Sequence, residues 1–439
     1  MDLLIAFLIF LAGVIACLVS GQTLIYALLL GLCCFLAVGR KRGFTWTALG
    51  NMVWTGGKTS FPVVRVLVFI GCLTSLWRAD GTIGFFVYHG IRLITPHLFI
   101  LIAFFLTAIL SFGIGTSFGV TGTAGVVLMI LARSGGVNEV ITAGAIMSGA
   151  YFGERCSPAS SSALLAVSLS GADSGKNMKM MLKTSIIPLL LTIGIYGILS
   201  WQNPILSVDS QILEEMTSEF TLSWLTLLPA VMLLVMALSG IKVFYAVAAS
   251  GACAFLLAVL LQGTDVWNAV WWTIFGYQPK SDKLAAIFSG GGMLSMKTVI
   301  ALVVLSSTYS GIFRGTGMLE GIQKKAARLG EKLGRFAAQI VIAVCAGCVF
   351  CNQTIGIIMA EQMLGQLYED AQEKAADVCN SIILIAALVP WSVASTGPLA
   401  MLGVGAEALP CSVLLYLVPL SYLLTKGVWF PKSRRLSNG

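Results

Sequence analysis

Residues 144–167, with the sequence GAIMSGAYFGERCSPASSSALLAV, place charge and proline inside an otherwise apolar segment. The apolar flanks enclose Glu154, Arg155 and Pro158. Residues 153–162 of this stretch hold four serines: Ser157, Ser160, Ser161 and Ser162. A charged side chain at the centre of a bilayer costs about 2.5–3.5 kcal/mol, so it suggests a functional site. Pro158 cannot donate a backbone hydrogen bond and disfavours helical backbone in Ser157, which predicts a helix break beside a buried acid.

The composition of the whole chain is that of an integral membrane protein. Of its 439 residues, 57% are hydrophobic and 10% are charged, whereas soluble globular proteins carry about 25% charged residues. Several segments reach or approach the ~20 apolar residues that cross a bilayer: 3–18, 24–38, 63–76, 98–110, 186–199, 222–238 and 243–261. Glycine and hydroxyl residues within apolar segments favour packed helices over a β-barrel. We predict an all-α membrane protein with roughly 10–12 transmembrane helices, some of them discontinuous.

The distribution of charge predicts the orientation of the chain. The net charge of +8 does not indicate nucleic-acid binding, because basic residues lie between the apolar segments. Arg40, Lys41 and Arg42 follow the second segment, and Lys426 lies near the end of the chain, so the positive-inside rule assigns both regions to the cytoplasm. Residues 201–222 carry four acids and no Lys or Arg and are assigned to the outside. We therefore expect a multi-pass protein of the bacterial plasma membrane with both termini in the cytoplasm.

The two sides of this acidic linker resemble each other in sequence. Each begins with two apolar segments and a Trp-rich stretch, at residues 44–55 and 265–277. Arg78 and Arg314 are separated by 236 residues, as are Gly81 and Gly317. The sequence TSFG, which begins at Thr116, is matched by QTIG at an offset of 237. The shared order predicts an internal repeat.

The predicted orientation fixes how the two copies are related. The chain starts inside and lies outside after residue 200, so its first part makes an odd number of crossings. The second part must then run in the opposite direction. We predict inverted repeats at 1–200 and 223–439, joined by the linker at 201–222. Two units of opposite topology, with a site near the bilayer midplane where broken helices meet, are typical of secondary transporters.

Three further sequences place polar groups where apolar helices should break. Residues 111–123 are rich in glycine and hydroxyl groups, and the second half offers residues 352–354 and the sequence PWSVASTGP at 390–398. Backbone groups freed at such breaks need polar partners, and their oxygens suit a hard cation. Two structural alternatives stay open. Residues 111–123 could form a close-packed glycine seam, and Glu154 and Arg155 could neutralise each other.

These motifs resemble those of NhaC-type Na+/H+ antiporters. SGAYFGERCSP at 148–158 is similar to the pattern Gly-Ala-Tyr/Phe-Phe-Gly-Asp-Lys-x-Ser-Pro, and GTSFGVTGT at 115–123 is similar to Gly-Ser-Ser-Trp-Gly-Thr-x-Gly-Thr. Asn352-Gln353 resembles Asp-Gln, and Pro390-Trp391-Ser392 resembles Pro-Trp-Asn. The resemblance covers most of the chain in order. It implies an inverted-repeat carrier of the ion-transporter superfamily, which also contains carboxylate transporters.

Three positions depart from the family pattern toward weaker polar chemistry. The family continues Ser-Asp-Thr-Thr-Asn after the proline, whereas this chain reads SSSAL at 160–164 and loses a carboxylate and an amide. Asn352 and Ser392 likewise replace Asp and Asn. The departures leave the predicted fold unchanged, and they leave the transported species open.

The residues and the resemblance together give a functional hypothesis. We predict Na+/H+ antiport in which Glu154 binds either a proton or a cation, while Arg155 lowers the proton affinity or holds an anionic substrate. The predicted neutral ligands are Thr116, Ser117, Ser157, Ser160, Ser161, Asn352, Gln353, Thr354, Ser392, Ser395 and Thr396. The alternative keeps the fold and transports a small organic anion or amino acid coupled to Na+ or H+. A homodimer in the lipid bilayer is left open by the sequence.

An enzymatic function has little support in the sequence. Cys345, Cys348 and Cys351 begin like an iron–sulfur run, but Ile355 stands where the fourth ligand should be. Neither a Ser-His-Asp constellation nor a phosphate-binding Gly-x4-Gly-Lys-Ser/Thr loop is apparent. We therefore expect no cofactor, and no metal apart from a transported Na+.

Overall fold

The computed structural model describes residues 2–93, 96–205, 210–239, 241–281, 284–285, 288–318, 332 and 334–430. Within these residues the chain is helical, and an isolated β-bridge joins Tyr277 to Gly290. The prediction of an all-α protein is confirmed.

The first half and the linker contain eleven of the helices that we number. They are α1 (Asp2–Ser20), α2 (Ile25–Lys41), α3 (Trp46–Lys58), α4 (Phe61–Ala79), α5 (Thr82–Leu93), α6 (Phe99–Ile114), α7 (Ser117–Ser134), α8 (Glu139–Cys156), α9 (Ser161–Ser170), α10 (Ser174–Gln202) and α11 (Ser210–Glu219). A π-helical turn at Thr121–Gly125 lies inside α7.

The second half continues this numbering. Its helices are α12 (Leu228–Leu238), α13 (Val243–Leu260), α14 (Val266–Phe275), α15 (Lys297–Thr316), α16 (Arg335–Phe350), α17 (Gln353–Leu364), α18 (Ala371–Ile385), α19 (Val393–Leu402) and α20 (Val413–Trp429).

Four helical segments of the described chain are long and apolar enough to cross a membrane: Phe61–Ala79, Ser117–Ser134, Ser174–Gln202 and Met293–Thr316. A fifth results if the pair Ala371–Leu388 and Val393–Leu402, bent by 56°, forms one span. Six shorter apolar helices accompany them. These helices make the chain a multi-pass membrane protein, and the total of ten to twelve crossings stays a prediction.

One helix presents a continuous apolar face on the outside of the molecule. On α10, half or more of each of the side chains of Ile186, Leu190, Leu191 and Ile198 is exposed. Exposing such an apolar face to water costs free energy, whereas exposing it to lipid does not. The exposed side of α10 therefore suits contact with the bilayer.

The closest packing of two helices in the first half joins α6 to α8. A Cβ added at Gly149 would lie 2.2 Å from Thr107 Oγ1 and 2.4 Å from the carbonyl oxygen of Phe104. A Cβ at Gly153 would lie 2.2 Å from the backbone nitrogen of Phe112. Small residues allow this approach of two backbones in lipid. The glycine seam thus involves α8, and it fixes the end of the helix that carries Glu154.

Gly149→Ala is expected to destabilise the protein by about 1–3 kcal/mol, because the added methyl group has no space between α8 and α6. The unfolding temperature of the purified protein, followed by tryptophan fluorescence, measures the effect. Gly194→Ala is the matched control, because nothing lies within 4 Å of a Cβ at that exposed position in α10. Equal unfolding temperatures for the two variants would contradict the packing described.

Helices on the two sides of the linker begin at matched spacings. The first residues of α4 and α15 are 236 apart, at Phe61 and Lys297, and the same spacing separates the starts of α6 and α16. The starts of α8 and α18 are 232 residues apart, at Glu139 and Ala371, and so are those of α9 and α19. The order of elements is therefore the same in both halves over these helices.

Contacts between the halves are reciprocal. The helix α3 packs against α15, and its counterpart α14 packs against α4. Likewise α2 contacts α15 while α13 contacts α4, and α9 contacts α17 while α19 contacts α7. Corresponding elements thus exchange partners between the two halves.

Candidate functional site

The break between α6 and α7 places the end of one helix and the start of the next in the interior of the protein. The helix α6 ends at Ile114, and Gly115 adopts a left-handed backbone with φ of +79°. Thr116 is extended and caps α7, its side chain accepting a hydrogen bond from Gly119 N at 3.4 Å. Glycine is required at 115 because a Cβ there would lie 2.6 Å from the carbonyl carbon of Ala159. The break is therefore packed directly against the loop after Pro158.

Glu154 projects from the end of α8 onto this break. Its side chain is 6% exposed, and its Oε2 accepts a hydrogen bond from the backbone nitrogen of Ser117 at 3.1 Å. Its Oε1 accepts a hydrogen bond from Ser162 Oγ at 2.7 Å. The N-terminus of a helix favours an anion through its free N–H groups and its dipole. The site is a carboxylate seated on the first turn of α7.

The serines after α8 divide between the site and the surface. Ser157 Oγ accepts a hydrogen bond from Ala159 N at 3.1 Å, and Ser160 caps α9 by accepting from Ala163 N at 3.2 Å. Ser161 is exposed, whereas Ser162 is buried and donates to Glu154. Ser162 was not among the ligands predicted from the sequence. With Ser160 recognised as an N-cap, the helical period puts its two successors on different faces, but the choice between them needs the tertiary packing.

Arg155 points away from Glu154, toward α10 of the first half and α18 of the second. Its guanidinium donates to Asn380 Oδ1, to Ser185 Oγ and, at 3.1 Å, to the carbonyl oxygen of Met181. The side chain is 1% exposed, and its Nε has no hydrogen-bond partner. No ion pair of Arg155 or Glu154 occurs in the described part of the chain, so the two residues do not neutralise each other.

A second break separates α16 from α17. Cys351 has a left-handed backbone with φ of +52°, and Asn352 Oδ1 caps α17 by accepting from Ile355 N at 3.3 Å. The backbone of Asn352, with φ −143° and ψ 121°, matches that of Thr116, with φ −145° and ψ 127°. These two caps are 236 residues apart, so the offset of 237 predicted for this motif is one residue too long. Gln353 Nε2 donates to Ile383 O at 3.2 Å, and Thr354 is exposed.

The predicted hydroxyls at the start of α19 are buried. Ser392 caps α19 by accepting from Ala394 N at 3.3 Å. Ser395 Oγ donates to Val389 O, and Thr396 Oγ1 donates to Ser392 O at 3.0 Å. The hydroxyl protons of Ser395 and Thr396 are donated to backbone carbonyl oxygens, while their own oxygens can still accept. None of these side chains forms a hydrogen bond with Glu154 in the described structure.

Two contacts bring α19 to the first-half site. Tyr151, one turn before Glu154, donates a hydrogen bond to Ala394 O. A Cβ at Gly397 would lie 2.4 Å from Cε1 of Phe118, so α7 and α19 are in close contact. Ser117, Glu154 and the start of α19 therefore belong to one buried region. Asn352 and Gln353 lie at the other break, where α17 packs on α9.

Comparison with known proteins identifies the family. The Na+/H+ antiporter family matches residues 2–177 and 165–425 of the sequence. The chain belongs to the Na+/H+ antiporter family. The predicted resemblance to NhaC-type antiporters is thereby confirmed, and the family is one of transporters.

Three relatives illustrate the range of this antiporter family. The chain is 27% identical over 372 residues to the malate-2H+/Na+-lactate antiporter of Bacillus subtilis, covering 81% of this chain and 78% of the relative. It is 25% identical over 415 residues to the Na+/H+ antiporter NhaC of Alkalihalophilus pseudofirmus, covering 91% and 89%. It is 29% identical over 301 residues to the arginine/ornithine antiporter ArcD of Halobacterium salinarum, covering 66% and 62%.

A second polar cluster in this antiporter-family chain was not predicted. Asp377, fully buried in α18, accepts hydrogen bonds from Tyr368 at 2.6 Å, from Tyr422 at 3.0 Å and from Lys426. Lys426 also pairs with Glu373 at 2.8 Å. The only sequence signal is the i, i+4 spacing of the two acids in α18. Asp377 thus has a cationic partner, unlike Glu154.

The cysteines considered for an iron–sulfur site do not form a metal site with other residues. Among the described residues, no group of three or more His, Cys, Asp or Glu side chains could hold a metal ion.

Arg155→Lys is expected to lower the stability by about 1.5–3 kcal/mol, because an ammonium cannot reproduce the guanidinium's hydrogen bonds to α10 and α18. The unfolding temperature in detergent measures the loss. Arg314→Lys is the matched control, since Arg314 is exposed near the end of α15. If both substitutions have the same small effect, Arg155 does not connect the two halves as described.

Proposed function

We propose that this member of the Na+/H+ antiporter family exchanges Na+ for H+ by binding them alternately at Glu154. The observation that carries the proposal is a buried carboxylate at a helix break without a cationic partner in the described chain. Of the other buried acids in the described chain, Asp377 binds Lys426, whereas Asp80 accepts two hydrogen bonds from Thr82 and has no cationic partner, as is the case for Glu154. Glu154 differs from Asp80 in its place, because it lies at the break between α6 and α7, whereas Asp80 follows the end of α4.

The surroundings of Glu154 supply the neutral oxygens that a hard cation needs. Ser162 lies 2.7 Å from the carboxylate. The buried hydroxyl of Ser117 lies beside Tyr151 but makes no hydrogen bond of good geometry, so its oxygen is available. A proton on the carboxyl removes the charge that attracts Na+. Competition for one carboxylate therefore couples the two ions without requiring both to bind at once.

We further propose that the two halves are inverted repeats with discontinuous helices. The equal spacings of α4, α6, α8 and α9 to their counterparts and the reciprocal contacts between halves support this relation. The matched left-handed positions Gly115 and Cys351 support a broken helix in each half. Units related in this way can exchange conformations, which opens a central site to each side of the membrane in turn.

The orientation proposed from the sequence has the two termini and the basic loops in the cytoplasm and residues 201–222 outside. It rests on the positive-inside rule and on the acidic linker. Residues 206–209 of that linker and the chain after 430 lie outside the described residues. A homodimer stays a prediction.

Glu154→Gln is expected to abolish Na+ uptake driven by a pH gradient in proteoliposomes at every pH tested, because a neutral amide can neither release a proton nor attract Na+. Radioactive 22Na+ uptake measures the change. Glu407→Gln is the matched control, since Glu407 is exposed and only accepts a hydrogen bond from Gly405 N. Uptake by Glu154→Gln at the wild-type rate would rule out the proposed role.

Ser162→Ala is expected to raise the apparent KM for Na+ roughly threefold to tenfold, the cost of losing one hydroxyl ligand or hydrogen bond. Ser161→Ala should leave KM unchanged because Ser161 is exposed. Because the two serines are adjacent, comparing their variants tests which of the two side chains faces the ion. The reverse ranking would show that the side chain of residue 161, and not of residue 162, faces the ion.

The second candidate function is exchange of a small organic anion or amino acid coupled to Na+ or H+. It is favoured by the buried Arg155, which has no acidic partner in the described chain, and by two relatives named as antiporters of malate and lactate and of arginine and ornithine. Uptake of labelled malate, lactate and arginine, measured beside 22Na+ flux in the same vesicles, separates the two candidates. Uptake of an organic substrate, together with no Na+/H+ exchange when that substrate is left out, would favour the second candidate.

A further inference from the structure

A cavity of about 140 Å³ lies between the C-terminal parts of α4, α7 and α19. Two arginines, Arg78 of α4 and Arg133 of α7, line it together with Ser295 and the turn at Gly403. It lies at the opposite end of α7 from Glu154. Ser117 and Arg133 are separated by roughly 24 Å along that helix at 1.5 Å per residue. The cavity is therefore distinct from the proposed ion site.

Arg78 is buried without a counter-ion. Its side chain is 7% exposed, and Nη1 donates to the carbonyl oxygen of Thr74 at 2.7 Å. Its Nε has no hydrogen-bond partner. The nearby Asp80 carboxylate is instead hydrogen-bonded to Thr82, at 2.8 Å from the backbone nitrogen and 2.7 Å from Oγ1. The edge of the Arg78 guanidinium formed by Nε and Nη2 thus has no protein acceptor in the described chain.

Arg133 adds a second positive charge to the same cavity. Its Nε pairs with Glu139 at 2.8 Å, and its Nη2 donates to Leu402 O at 2.9 Å. Glu139 balances one of the two guanidinium charges and leaves the other uncompensated. Like charges that share a partly buried cavity repel each other. An anion in the cavity would offset that repulsion and accept hydrogen bonds from the unpaired N–H groups of Arg78.

The exposed counterpart of Arg78 provides a comparison within the chain. Arg314 occupies the matching position 236 residues later, near the end of α15, and is exposed. The repeat therefore does not by itself require a buried arginine here. Burial of Arg78 with an unsatisfied edge is a property of the first half.

We propose that this cavity binds a small free carboxylate through the Nε and Nη2 edge of Arg78, with Arg133 as the second positive group. The two N–H groups of a guanidinium edge match the two oxygens of a carboxylate, which gives a bidentate, charge-assisted pair. The volume corresponds to about four or five water molecules of ~30 Å³ each, which suits an anion the size of acetate.

Equilibrium dialysis of the purified full chain in a neutral detergent, with 14C-acetate and the total salt kept constant with chloride, tests the proposal. One acetate should bind per chain and saturate. Arg78→Gln should raise the Kd about tenfold or more, because the bidentate charged pair is lost. Arg78→Lys keeps the charge but loses the paired N–H groups of the guanidinium. Its Kd should therefore lie between those of the wild type and Arg78→Gln. Arg314→Gln should bind like wild type.

Glu154→Gln should bind acetate like wild type, so a failure here is distinguishable from a failure of the proposed ion exchange. An unfolding temperature recorded for each variant ensures that only folded protein is compared. If Arg78→Gln does not fold, Arg133→Gln replaces it and should also weaken binding. Non-saturable binding, equal affinity in wild type and Arg78→Lys, or saturable binding of 35S-sulfate but not acetate would overturn the carboxylate assignment.

Discussion

The contact between the Glu154 carboxylate and the first turn of α7 is the interaction on which the proposed site depends. It joins an acid at the end of α8 to the backbone nitrogen of Ser117, with Ser162 as the second donor. In a medium of low dielectric constant, a carboxylate without a cationic partner needs such donors to be tolerated. Because the described chain forms no ion pair with it, this carboxylate suits the proposed exchange of ligands.

Close helix packing holds this contact in place. Gly149 and Gly153 let α8 approach α6 so closely that their backbones touch. The chain then leaves α6 at Gly115, where a side chain would collide with Ala159. The position of Ser117 relative to Glu154 is therefore set by glycine packing on both sides of the break, and not by the charged residues themselves. The sequence left a glycine seam and an ion site as alternatives for residues 111–123, whereas in the structure Gly149 and Gly153 of α8, with Gly115, pack the helices that carry the proposed site.

The sequence predicted the helical membrane class and the family, and it named Glu154 and Ser117, which the structure joins by a hydrogen bond, because insertion costs and glycine patterns act locally along the chain. It could not decide between Ser161 and Ser162, since only the packing of α9 on α8 assigns one to the acid and the other to the surface. It also could not tell that Arg155 and Glu154 point apart. Neighbours at the end of a helix can pair or diverge, and the choice depends on α10 and α18, which are distant in sequence. Asp377 was missed for the same reason, because Tyr422 and Lys426 reach it from the last helix.

The contacts of α7 with α19 connect the proposed ion site to the arginine cavity. Along its length α7 contacts α19 through Phe118 at Gly397, through Thr121 at Met401 and through Arg133 at Leu402. Glu154 lies at the positive end of the α7 dipole, and Arg133 lies at its negative end, so each charge is favourably placed. Any motion that separates α7 from α19 would break contacts at both ends at once. The π-turn at Thr121–Gly125, which interrupts the regular hydrogen bonding between those ends, is the place where α7 can bend without breaking both sets.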